Sequence, residues 1–114
     1  MVSLQEVLDW CLTFEEAWLD RPWGDETVVK VGKKIFAFTG GHDSGAVTVT
    51  VKLDLDRREH WSALPHTFVP AYVGRYGWMG IRLVDHAAWE LAQEGIAVSY
   101  QLIRRRKSPE SPAL

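Results

Sequence analysis

Polar and apolar positions change period several times along the chain, and each change predicts an element. Ser3-Leu4-Gln5-Glu6 has the spacing of a capping box, in which serine and glutamate satisfy each other's orphan backbone donors. A helix is expected from there to about Thr13, with Leu4, Leu8, Cys11 and Leu12 on its apolar face. No period holds from Phe14 to Asp25, and Arg21-Pro22-Trp23-Gly24 is turn-forming, so this stretch reads as a packed loop. Thr27–Val31 and Ile35–Thr39 are β-branched and aromatic runs separated by Gly32-Lys33-Lys34, the pattern of a hairpin. A glycine-rich connection at residues 40–45 leads into Val47–Leu53, where valine alternates with polar residues and predicts a strand with one solvated face.

Asp54 or Asp56 can cap a short helix reaching about Leu64, with Leu55, Trp61 and Leu64 inward and Arg57, Arg58 and Glu59 outward, before Pro65 stops it. Residues 65–77 read as a loop packed through Phe68, Pro70, Tyr72 and Tyr76. A strand over Trp78–Val84 and a helix over Ala87–Arg106 follow, the helix turning Trp89, Ala92, Ile96, Ser99, Tyr100 and Ile103 to one side, with Gly95 a candidate kink. The expected order is α-β-β-β-α-β-α, an α+β fold with an antiparallel sheet flanked by helices. Residues 1–107 make one domain and residues 108–114 a fraying tail.

The size of 114 residues suits one domain, and no apolar run nears the roughly 18 residues of a membrane helix. No secretory signal pattern opens the chain, so the expected compartment is the cytosol, with no membrane partner. Cys11, the one cysteine, has no disulfide or thiolate-metal partner and reads as core. The net charge is −2, yet the charges are segregated. Residues 1–26 hold seven acids and one base, whereas residues 27–84 hold eight bases and four acids. The middle of the chain, where the sheet is expected, is therefore basic.

That middle supplies the candidate chemistry. Lys33 and Lys34 at a hairpin tip, Lys52 on a strand's solvated face and Arg75 in a glycine-flanked loop are placed to reach phosphates. Arg104, Arg105, Arg106 and Lys107 form a second basic cluster, which also compensates the dipole of the last helix. Tyr76 and Trp78 beside Arg75 have the composition of a stacking surface, although Trp78 opens a strand and reads first as core. His42, His60, His66 and His86 are spread without cysteine partners, and Glu6, Asp9, Glu15 and Glu16 form no compact ligand spacing. No catalytic residue, metal or cofactor is expected, and the chain reads as a binding protein rather than an enzyme.

Several segments resemble a known family in order and spacing. They are Pro22-Trp23-Gly24, residues 29–37, Val49–Leu53, Tyr72–Trp78 and Ser99-Tyr100, and the family is MmcQ/YjbR. The resemblance covers nearly the whole chain and implies an α+β domain similar to frataxin and secretion-chaperone folds. It also implies a DNA-binding role, with hairpin wings contacting the duplex, through phosphates and largely without sequence preference. The segment Ala71-Tyr72-Val73-Gly74-Arg75-Tyr76-Gly77 departs from the commoner pattern by lacking a histidine. A role resting on that histidine does not transfer. The rival reading is a non-catalytic domain that binds a protein or small molecule through the aromatic loop 68–78.

Overall fold

The first helix starts as the capping box dictates. Ser3 Oγ accepts from the Glu6 N–H at 3.1 Å, and Glu6 Oε1 accepts from the Ser3 N–H at 2.8 Å. The computed structural model describes residues 2–24, 26–40 and 45–107; the expectations about His42, the centre of the 40–45 connection and the tail lie outside the described residues. Helix α1 spans Leu4–Cys11 and buries Val7, Leu8 and Cys11. Leu12, expected on the apolar face, is 41% exposed, because the helix has ended and Leu12 is its C-terminal cap.

Strands β1 (Ala17–Asp20), β2 (Val28–Val31), β3 (Lys34–Gly40) and β4 (Thr48–Lys52) follow. Helix α2 (Leu55–Ser62), strand β5 (Thr67–Phe68), a 3-10 turn (Gly74–Tyr76), strand β6 (Trp78–Arg82) and helix α3 (His86–Lys107) complete the order. The strands form one antiparallel sheet in the order β1-β2-β3-β4-β6-β5. The α+β class and the antiparallel sheet hold, and β1 and β5 extend the expected order at its two edges. In β1, which read as loop, Trp18 and Leu19 are both exposed, so no alternation marks it. Its partner is β2, with Trp18 opposite Lys30.

Helix α3 covers one face of the sheet. Phe36 is the extra residue of a bulge, since Val29 pairs with Ala37 and Lys30 with Ile35. Its ring turns toward α3 and meets Tyr100 at 5.2 Å. Ser99, fully buried, donates its hydroxyl to the Phe36 carbonyl at 2.6 Å and accepts the Lys52 N–H at 2.9 Å. One side chain thus satisfies two backbone groups on adjacent strands, which an aliphatic residue would leave unpaired inside the core. Gly95 serves packing: a β-carbon there would lie 2.6 Å from Cζ2 of the buried Trp61.

The register sets Phe38, Thr50, Gly80 and Phe68 in one row across the other face. Thr50 was expected in solvent and is only 9% exposed, so β4 has no fully solvated face. The Phe68 ring lies directly over Gly80, where a β-carbon would meet Cζ at 2.3 Å. Leu55, expected inward, is 58% exposed at the start of α2, whereas Trp61 is buried as expected. In the 65–77 segment Tyr72 and Tyr76 are 92% and 56% exposed, contrary to a packed aromatic loop.

Candidate functional site

The hairpin joining β2 and β3 assembles the site. Gly32 opens its two-residue turn with φ +63°, a backbone region L side chains rarely adopt, and this folds Lys33 and Lys34 back beside Lys30. The buried valines at 28, 29 and 31 leave Lys30 as the one partly exposed position of β2, with its side chain 18% accessible. Lys52 enters from β4, where it pairs with Trp78 of β6. The result is an open concavity of about 620 Å³ lined by Lys30, Lys33, Lys34 and Lys52, with Ile35, Phe38, Val73, Trp78 and Ile103 supplying apolar walls.

The four lysines differ. Lys30 Nζ lies 2.8 Å from Asp20 Oδ2 and 5.2 Å from the centre of the Trp18 ring. The hydrogen bond from Lys30 is the main cause that holds the Asp20 carboxyl below its usual range. Lys52 is half-buried, whereas Lys33 and Lys34 are exposed, and among the described residues neither of those two is in an ion pair. Trp78 is a wall rather than a platform, being 9% exposed.

The other candidates lie elsewhere. Arg75, in the 3-10 turn, donates to the Tyr76 hydroxyl at 2.8 Å and sits 4.9 Å from its ring centre, so the two make a local pair that does not line the lysine concavity. Arg104 Nη1 donates to the Tyr100 hydroxyl at 2.6 Å and lies 3.4 Å from Glu15 Oε1. Arg105 lines a separate groove with Asp54 and Arg57, and the Arg106 side chain lies outside the described residues. Lys33, Lys34, Lys52 and Trp78 are therefore brought together; Arg75, Tyr76, Arg104 and Arg105 are not. Sequence reasoning missed Lys30 as a member, although its place between buried valines and opposite Ile35 carried the signal.

A second concavity of about 490 Å³ adjoins the first and shares Ile35, Phe38 and Val73 with it. Trp23, Glu26, Thr50, Pro70, Ala71 and Tyr72 complete its lining. Trp23 is 60% exposed and stacks nearly parallel to Phe38, with centroids 6.3 Å apart. Phe38 in turn meets Trp78 edge to face, so an aromatic row connects the two concavities.

Among the described residues no three His, Cys, Asp or Glu side chains are grouped to hold a metal ion, and no helix is long and apolar enough to cross a membrane. No curated protein matches the chain. A crystal structure of a protein from Pseudomonas syringae superposes with a TM-score of 0.74 at 16% identity, covering 89% of this chain and 98% of that one, a likeness of fold alone. The family model YjbR matches residues 12–102, a span that holds the whole sheet and most of α3. The chain belongs to the YjbR family.

Proposed function

We propose that this protein is a cytosolic, non-catalytic DNA-binding protein that holds backbone phosphates in the lysine-lined concavity, largely independent of sequence. The observation carrying this reading is the convergence of Lys30, Lys33, Lys34 and Lys52 on one concave surface of a chain whose net charge is −2. A lysine is a flexible point charge that neutralises a phosphate and releases condensed counterions, which needs no base-specific geometry. Lys33 and Lys34, exposed and in no ion pair among the described residues, supply the strongest contacts. Lys30 shares its charge with Asp20 and contributes less. Arg104 is matched by Glu15 and stands outside the interface.

About two to four phosphates neutralised in this way give a slope of log affinity against log salt of roughly −2 to −4 on duplex DNA. Fluorescence anisotropy of a labelled oligonucleotide at ~50 mM salt measures it. The Lys33→Ala/Lys34→Ala double variant should lose most of the binding and flatten the slope. No binding at low micromolar protein, or an unchanged double variant, overturns the reading. Oligonucleotide binding insensitive to salt would show that the lysines do not hold the phosphates, and it also overturns the reading.

A further inference from the structure

We propose that the groove bounded by Trp23 and the Pro70–Val73 loop holds unstacked bases, so that the preferred partner is a single-stranded polynucleotide whose phosphates lie on the adjoining lysines. The inference rests on the phosphate reading above and specifies its partner. Three observations carry it.

The groove and the lysine concavity adjoin, with Ile35, Phe38 and Val73 lining both. A ligand that fills both must present flat apolar groups beside repeated negative charge. A single strand does so at every nucleotide, whereas a duplex hides its base faces in the stack.

Exposed aromatic rings line the groove. Trp23 is 60% and Tyr72 is 92% exposed, although both residue types are large enough to favour burial. Bases of any identity stack on such rings, which agrees with binding that ignores sequence.

The loop carrying Tyr72 is locked while its ring stays free. The Val73 N–H donates to the Ala71 carbonyl at 2.7 Å, Gly74 to Pro70 at 3.1 Å, Tyr76 to Val73 at 2.9 Å and Gly77 to Gly74 at 3.0 Å. A β-carbon at Gly74 would lie 2.4 Å from Cγ1 of the exposed Val69, so a larger residue there would displace that side chain. Tyr72 itself has φ +68°, an uncommon conformation for a bulky residue. A fixed loop that holds a strained tyrosine in solvent is a platform arranged before the ligand arrives. Glu26 and Thr50 add polar atoms to the same groove.

The experiment compares three labelled probes of about twelve nucleotides: oligothymidylate, a duplex, and an abasic strand with the same phosphates and no bases. Oligothymidylate should bind roughly tenfold or more tightly than the abasic strand. Trp23→Ala and Tyr72→Ala, both at exposed positions, should each shrink that gap by weakening oligothymidylate more than the abasic strand. Oligouridylate against oligodeoxyuridylate distinguishes the sugar: equal gaps over the matching abasic strands assign both RNA and DNA, and a smaller gap for oligouridylate assigns DNA. Equal affinity for oligothymidylate and abasic strand overturns the base groove while leaving the phosphate reading intact. No binding of any strand defeats the phosphate reading, and this inference with it. Saturable binding of decanoate that Trp23→Ala abolishes, without a thymidylate preference, assigns the groove to an anionic amphiphile and also overturns the proposal.

Discussion

The ring of Trp78 meets that of Phe38 edge to face, with centroids 5.2 Å apart and planes at 77°, and this contact joins the core to the candidate site. Trp78 is 9% exposed and belongs to the continuous core cluster. Trp78→Ala should therefore cost about 3–5 kcal/mol, through lost transfer energy and a residual cavity. Urea denaturation should show a lower midpoint with an unchanged slope. A midpoint equal to that of the wild type would place the ring outside the core.

Gly95→Ala tests packing against propensity. In an exposed helix interior alanine would gain about 1 kcal/mol over glycine. Here the new β-carbon would lie 2.6 Å from Cζ2 and 2.8 Å from Cη2 of Trp61, whose ring is 1% exposed and has nowhere to retreat. The variant should lose about 1–3 kcal/mol by overpacking. Thermal unfolding decides the sign, and a raised Tm contradicts the contact.

The Asp20–Lys30 pair sets a limit on the charge of the site. Lys30 lowers the Asp20 carboxyl from its ordinary 3.8, so the ionised partner is present above that value and is lost as pH falls through the lowered one. At neutral pH the pair is intact, and Asp20→Asn removes its negative member. Affinity for an oligonucleotide should rise and the salt slope should steepen by up to about one. Unchanged or weaker binding would show that Lys30 takes no part.

Cys11 should be inert. Burial pushes its thiol up to about 12 from 9.0, which keeps it neutral and non-nucleophilic. The stability gained by keeping the thiol protonated is fully present below 9.0 and is lost as pH rises toward 12. Ellman's reagent at pH 8 should react with Cys11 only after denaturation, and rapid reaction of the native chain contradicts the burial.

Elements that satisfy themselves locally were legible in the sequence. The Ser3–Glu6 box closes within four residues, and the β2–β3 hairpin carries its turn glycine between two apolar runs. Strands β1 and β5 were not legible, because their order comes from distant partners: the Trp18 indole N–H donates to the Gly32 carbonyl fourteen residues away, and Thr67 pairs with Ile81. The lysines of one hairpin tip were legible as neighbours, since two residues of turn cannot separate them. Which cations were already engaged was not legible. Glu15 reaches Arg104 across 89 positions, and only the folded chain brings them together. The exposure of Tyr72 likewise follows from a locked loop, while its composition suggested packing.

Amide chemical-shift mapping during an oligothymidylate titration locates the binding surface residue by residue. Shifts should cluster at Lys30, Lys33, Lys34, Ile35, Lys52 and Val73, extend to Trp23 and Tyr72, and fade as salt is raised. Shifts centred on Asp54, Arg57, Gln101 and Arg105, the separate groove beside α2 and α3, would contradict this location, as would a titration that moves no amide.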